Sequence, residues 1–161
     1  TMRVLEVYPR VCMEFQRVFG RKYDIVEEYR TGDAELVVVT AGTITSVSRI
    51  AVDAMRAKGK PVGLVKLRIF RPVPAEVWRS VLGRFPKVVV IDRNLTAGLG
   101  GVFASEIRSV LYSLEERPKV YPVVAGLGGR DVTPRDLEGI IEAALGREDP
   151  GSEPLFWGLK E

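Results

Sequence analysis

The sequence predicts an α/β fold, a three-layer α/β/α arrangement around a mixed, mostly parallel sheet. Three observations predict it. Four short runs rich in β-branched residues, at 36–40, 62–68, 87–91 and 119–124, alternate with longer stretches whose apolar residues recur every three or four positions. Strands joined by crossover helices have that pattern. Runs such as Leu36-Val37-Val38-Val39-Thr40 are continuously apolar until their last residue, which suits strands covered on both faces. A further run at 23–29 is joined to the strand at 36–40 by a link too short for a parallel crossover, so the first strand runs antiparallel to the rest.

The elements follow in order. Val4, Leu5, Tyr8, Val11, Cys12, Phe15, Val18 and Phe19 form one apolar face at helical spacing. Pro9 belongs in a first turn, so this helix is expected to start near Tyr8 and to stop at Gly20. Cys12 falls on the apolar stripe and reads as a small core residue, with no activating partner in view. The 23–29 segment looks like an edge strand, and Thr31-Gly32-Asp33 make a turn. After strand 36–40, a helix over 43–58 turns Val47, Ile50, Ala51, Ala54 and Met55 inward and ends at Gly59. Strand 62–68 leads to a helix opened by Pro74 and carrying Val77, Trp78, Val81 and Leu82. Strand 87–91 precedes a glycine-rich loop and a helix over 101–113 with Val102, Ile107, Val110 and Leu111 inward. Strand 119–124 is the last, and Thr133 caps a helix with Pro134 at its first position that runs to Leu145. The chain thus divides into a helical lead-in (1–22), the α/β domain (23–146) and a polar tail (147–161). The tail's apolar knot, Leu155, Phe156 and Trp157, is expected to dock on the domain or on a partner, because an exposed patch of that kind is costly.

Composition narrows the chemistry. The 161 residues contain no His and one Cys. A Ser-His-Asp triad, a Cys-His pair, His-ligated zinc and a cysteine-ligated cluster held by this chain alone are therefore excluded. The formal net charge of +3 is too small to demand nucleic acid. Without an apolar stretch of spanning length or a signal core, a cytoplasmic protein away from the membrane is expected.

In open α/β sheets ligands bind beyond the carboxyl ends of the parallel strands. That edge carries Thr43 after the second strand, Arg68 and Arg71 after the third, Arg93, Gly100 and Gly101 after the fourth, and Gly128, Gly129, Arg130 and Asp131 after the fifth. Helix N-termini and guanidinium groups suit an anion; glycines in tight turns and arginines at an interface suit packing. An interface role is the reading adopted, with a bound phosphate as the rival. Nucleotide motifs fail: Gly98-x-Gly100-Gly101 meets Phe103 where a third glycine should stand, and neither a P-loop nor a nucleophile elbow occurs. Asp92, Asp131 and Asp136 each adjoin an arginine and read as solvated or bridged charges.

The segments LVKLRIFRPVP (64–74), VVVIDRN (88–94), GLGG (98–101) and GLGGRDVTP (126–134) occur in order. Together with the opening helix, EEYR (27–30) and the terminal WGLKE, they resemble the C-terminal region of the α subunit of 2-oxoacid:ferredoxin oxidoreductases, most closely the pyruvate enzymes. The resemblance implies a transketolase C-terminal-like fold with five strands in the order 1-3-2-4-5, the first antiparallel. It also implies an enzyme that converts a 2-oxoacid and coenzyme A to acyl-CoA and CO2 and reduces ferredoxin. That complex would use thiamine diphosphate, magnesium, iron–sulfur clusters and coenzyme A, none of them held by this chain, whose partners would be the other domains or subunits. The Gly-Asp-Gly thiamine signature is absent, since Gly32-Asp33 is followed by Ala34. That absence, the short length and Thr1 ahead of Met2 lead to the expectation of a non-catalytic piece of such an enzyme, serving assembly and active-site framing. The alternatives are the same fold in a transketolase or a 2-oxoacid dehydrogenase β subunit, or a free-standing anion- or nucleotide-binding module.

Overall fold

A computed structural model describes residues 2–159; Lys160 and Glu161 of the terminal WGLKE lie outside the described residues, as does Thr1. The elements are α1 (Val4–Phe19), β1 (Val26–Tyr29), β2 (Leu36–Ala41), α2 (Ile44–Ala57), β3 (Val62–Leu67), α3 (Ala75–Leu82), β4 (Lys87–Asp92), α4 (Val102–Leu111), β5 (Lys119–Ala125), α5 (Pro134–Leu145) and β6 (Leu155–Trp157), with a short 3₁₀ turn at Leu127–Gly129. The sheet order is β1-β3-β2-β4-β5-β6. β1 pairs antiparallel with β3, and the other neighbours are parallel.

Alternation along the strands sorts the core into two layers. Leu36, Val38, Leu64, Val89, Ile91, Tyr121 and Val123 face α2 and α5. Val37, Val39, Val65, Val88, Val90 and Val120 face α3 and α4, with Leu5 and Tyr8 of α1 at the border. The continuous β-branched runs are thus buried on both faces, as side chains that alternate across a doubly covered sheet must be.

The sheet has six strands, which corrects the expectation of five. The sixth lies in the tail: Leu155, Phe156 and Trp157 pair with Val123, Val124 and Ala125. So short a strand carries no periodic signal of its own, and contacts elsewhere in the fold hold it. The Trp157 indole N–H donates to the Asp136 carboxylate at 3.1 Å. The ring lies so close to α5 that a Cβ on Gly139 would stand 2.7 Å from it. Upstream, Arg108 donates to the carbonyls of Val120, Gly151 and Ser152. Lys87 Nζ donates to the carbonyls of Ala144, Leu145 and Arg147 at 2.9–3.0 Å, a cation placed on the C-terminus of α5. Trp157→Ala should therefore release β6 at a cost of about 2 kcal/mol. Denaturant melts and loss of amide-exchange protection at 155–157 would check it; unchanged protection would show that the backbone pairing alone holds the strand.

Two further expectations change. α1 begins at Val4, with Pro9 inside it, rather than near Tyr8. The proline removes the N–H that would have bonded the Leu5 carbonyl, yet packing of Leu5 and Tyr8 against the body carries the helix back past it. Ile50, expected inward, is exposed, whereas Ala51, Val52 and Met55 of the same helix are buried.

Candidate functional site

The chain passes from β2 through α2 to β3 on one side of the sheet and from β4 through α4 to β5 on the other. The topological switch therefore lies between the carboxyl ends of β2 and β4, where ligands of such folds enter. What stands there is Asp92, the last residue of β4 and fully buried. Its carboxylate accepts the backbone N–H groups of Phe103 (2.8 Å) and Ala104 (3.0 Å) and the Asn94 amide (3.2 Å). Asn94 Oδ1 in turn accepts the Val102 N–H at 3.1 Å. The N-terminus of α4 is thus already supplied with an anion by the strand that precedes it. Burial pushes the Asp92 carboxyl above its ordinary pKa, and the three donated hydrogen bonds oppose that rise.

This arrangement corrects the reading of Asp92 as a solvated or arginine-bridged charge, and it explains a glycine. Gly101 has φ −72° and ψ 138°, a conformation open to any residue. A Cβ there would lie 2.1 Å from Asp92 Oδ2. The requirement at Gly101 is for space, to let α4 approach the carboxylate, whereas Gly100 before it has φ +87°, a conformation that favours glycine.

The other helix starts on this edge differ. Thr133 and Asp136 form a reciprocal capping box on α5. Asp136 is therefore also no arginine-paired charge. Its pKa is lowered, first by the Thr133 hydroxyl, then by the Thr133 N–H and the Trp157 indole. A lowered folded pKa stabilises the fold above the unfolded value, about 3.9, and that contribution is lost as pH falls through the folded value. Asp136→Asn should accordingly flatten the acid limb of the stability profile, measurable by urea melts from about pH 6 down to about pH 2. Thr43, at the start of α2, is exposed and its side chain makes no capping bond.

The arginines at this edge have separate partners. Arg68 pairs with Glu27 and lies over the Tyr23 ring at 4.5 Å. Exposed Arg71 pairs with Glu106 and covers Phe70 at 4.0 Å. Among the described residues Arg93 Nη2 reaches only the Arg130 carbonyl, at 3.5 Å, and Arg130 donates to the Gly158 carbonyl. β2 stands between β3 and β4, which at about 4.8 Å per strand keeps Arg68 roughly 10 Å from Arg93. Gly100 sits against Pro154, while Gly128, Gly129, Arg130 and Asp131 are exposed. A cavity of about 380 Å3 at the β1 end is lined by Tyr23, Val26, Val77 and Val81 together with the charged Arg68, Asp24, Glu27 and Glu28 among others.

These residues do not fit a diphosphate at the switch point, where a phosphate would meet the Asp92 carboxylate, nor an iron–sulfur cluster, for which Cys12 is one buried thiol. Among the described residues no group of three or more His, Cys, Asp or Glu is placed to hold a metal ion, and no helix is long and apolar enough to cross a membrane. Sequence reasoning missed Asp92 and Asn94 as a unit. Their signal was an acidic residue ending a buried strand, eight or more residues before a glycine pair that opens a helix.

Residues 34–137 match the family described as pyruvate:ferredoxin oxidoreductase core domain II. The pyruvate synthase subunit PorA of Methanothermobacter thermautotrophicus is 42% identical over 99% of this chain and 40% of its own length. That of Thermotoga maritima is 37% identical over 98% of this chain and 40% of its own length. The ketoisovalerate oxidoreductase subunit VorA of Pyrococcus horikoshii is 36% identical over 85% of this chain and 35% of its own length. The chain therefore spans about 40% of the length of the PorA relatives it matches. Among solved structures, a split-gene transketolase (inactive β4 tetramer) superposes with TM-score 0.60 at 18% identity, over 78% of this chain and 43% of that one. A 2-oxoglutarate:ferredoxin oxidoreductase from Magnetococcus marinus, with 2-oxoglutarate, coenzyme A and succinyl-CoA bound, does so with TM-score 0.55 at 19% identity, over 87% of this chain and 23% of that one. Both likenesses support the transketolase-like fold.

Proposed function

Because the chain belongs to the pyruvate:ferredoxin oxidoreductase core domain II family, we propose that it is the non-catalytic domain of a 2-oxoacid:ferredoxin oxidoreductase, serving subunit assembly and active-site framing. The enzyme as a whole would convert a 2-oxoacid, pyruvate first among candidates, and coenzyme A to acyl-CoA and CO2 while reducing ferredoxin. Thiamine diphosphate, magnesium and the iron–sulfur clusters would be bound by other domains or subunits. The observation that carries the non-catalytic role is Asp92: its carboxylate occupies the helix N-terminus at the switch point, the place where this class of sheet ordinarily receives an anionic ligand.

The carboxyl edge supports the interface role. Arg71, Arg93 and Arg130 are exposed on this edge, and the β4–α4 loop there also exposes Leu95 and Leu99, 47% and 62% exposed. An edge that exposes both guanidinium groups and apolar side chains suits a protein partner. The purified chain, given pyruvate, thiamine diphosphate, magnesium, coenzyme A and ferredoxin, should release no CO2, and activity should appear only with the other polypeptides of the enzyme. Decarboxylation by the chain alone would overturn the non-catalytic reading. Arg93→Ala should weaken assembly, read by native mass spectrometry, and leave coenzyme A titrations unaltered. Reduced coenzyme A affinity with unchanged assembly would favour the ligand role instead.

A further inference from the structure

The segment after α5 runs from one end of the sheet to the other. It starts at the amino end of β4, where Lys87 Nζ and the Tyr121 hydroxyl donate to the Arg147 carbonyl at 2.9 and 2.7 Å. Arg108 then holds the carbonyls of Gly151 and Ser152 at 2.9 and 3.2 Å. At the carboxyl end Trp157 pairs with Ala125, the last residue of β5, and the Gly158 carbonyl accepts from Arg130. These anchors donate to main-chain carbonyls, so they fix the path of the segment whatever side chains it carries. On the carboxyl edge it meets two loops. Pro154 lies 3.5 Å from where a Cβ on Gly100 of the β4–α4 loop would stand, and Arg130 belongs to the β5–α5 loop. Among the described residues the only hydrogen bond joining those loops directly is the 3.5 Å one from Arg93 to the Arg130 carbonyl.

We propose that the 147–159 segment is a clamp that presets the carboxyl edge for assembly, with Trp157 as its latch. The proposal rests on the functional reading above, in which that edge receives the other polypeptides of the oxidoreductase. Arg93 and Arg130 are exposed there, and among the described residues neither is in an ion pair. Loops ordered before association bind more tightly than loops that must be ordered by it. Gripped at Gly100 and at Arg130, the two loops are ordered in advance. Three residues of parallel pairing are a weak hold, and Trp157 supplies the rest. Its indole donates to Asp136, and its ring fills the place where a Cβ on Gly139 would stand. Gly139 lies inside α5, where glycine is otherwise unfavourable, and its φ is not positive. The glycine therefore provides a seat for the latch. Trp157 is thus a positioning residue for the interface, acting through the loops.

The test compares the unaltered chain with Trp157→Ala, which removes the latch, and Gly139→Leu, which fills its seat and alters no residue of the edge. Far-UV circular dichroism would show that both variants fold. Amide exchange followed by NMR should lose protection at 155–157 in both. The amides of Thr96, Leu99 and Gly100, hydrogen-bonded within the β4–α4 loop at 2.8–3.0 Å, should exchange about tenfold faster or more. Association with the other polypeptides, measured by analytical ultracentrifugation, should weaken by about tenfold or more in both variants. Protection retained at 155–157 in both variants would overturn the latch. Weakened association with unchanged exchange at 96–100 would make the segment a direct partner contact and overturn the clamp. Released strand and loosened loops with undiminished association would overturn it too, and would leave the functional reading standing. Failure of even the unaltered chain to associate would sink the functional reading, and the clamp with it.

Discussion

Gly101→Ala should destabilise the fold by about 3 kcal/mol or more, a large share of the roughly 5–15 kcal/mol that holds a domain together. The added carbon would lie 2.1 Å from Asp92 Oδ2 and 2.4 Å from its Cγ. Neither side can yield cheaply, because Asp92 is fully buried and its oxygens are tied to Phe103, Ala104 and Asn94. Asp92→Ala should cost about 2–4 kcal/mol by a different route, leaving the first N–H groups of α4 without acceptors. Asp92→Asn should not rescue it, since one half of the amide turns a donor toward those donors. The decisive measurement is the double-mutant cycle. Asp92→Ala removes the two nearest atoms but keeps the Cβ of residue 92, which would stand 2.6 Å from the added carbon, so Gly101→Ala should cost less, though still something, in the Asp92→Ala background, a coupling of about 1–3 kcal/mol. Additive costs in urea denaturation would mean that the glycine serves some other contact.

Trp78→Ala should cost about 3–5 kcal/mol, whereas Trp78→Phe should cost about 1–2 kcal/mol. Trp78 is the largest fully buried side chain, in the layer between the sheet and α3 and α4. It is stacked on Phe70 with ring centroids 6.1 Å apart, and Phe70 meets Phe103 edge-on at 4.7 Å. Truncation to alanine therefore removes the support of the β3–α3 turn as well as filling volume. The indole N–H has no partner, so phenylalanine loses volume but also removes an unpaired buried donor, and the two effects oppose each other. Chemical melts of both variants would check the ranking; equal losses would mean that the indole, rather than the aromatic packing, is what the core requires.

How much of this was legible before the fold was known divides along a physical line. The alternation of β-branched runs with helical-period stretches is local, and by itself it determined the α/β class, the helices on both faces and the antiparallel first strand, since a short link cannot make a parallel crossover. The family motifs supplied the order of the first five strands. β6 was hidden because three residues of parallel pairing depend on Trp157 meeting Asp136 and Gly139, residues brought together only when α5 packs. The arginine edge was legible as a set of positions but not as a set of partners. Strand order puts β2 between Arg68 and Arg93 and gives Arg68 and Arg71 separate carboxylates. Asp92 was visible as a residue and invisible as a cap, because its donors at 103 and 104 reach it only once α4 has folded back over β4. The apolar residues of α1 share one helical period in the sequence, and only packing against the body decides which of them are covered. Periodicity specifies what each segment becomes, through interactions a few residues long. Which side chains meet is decided by contacts between segments far apart in the chain, and those exist only in the assembled tertiary structure.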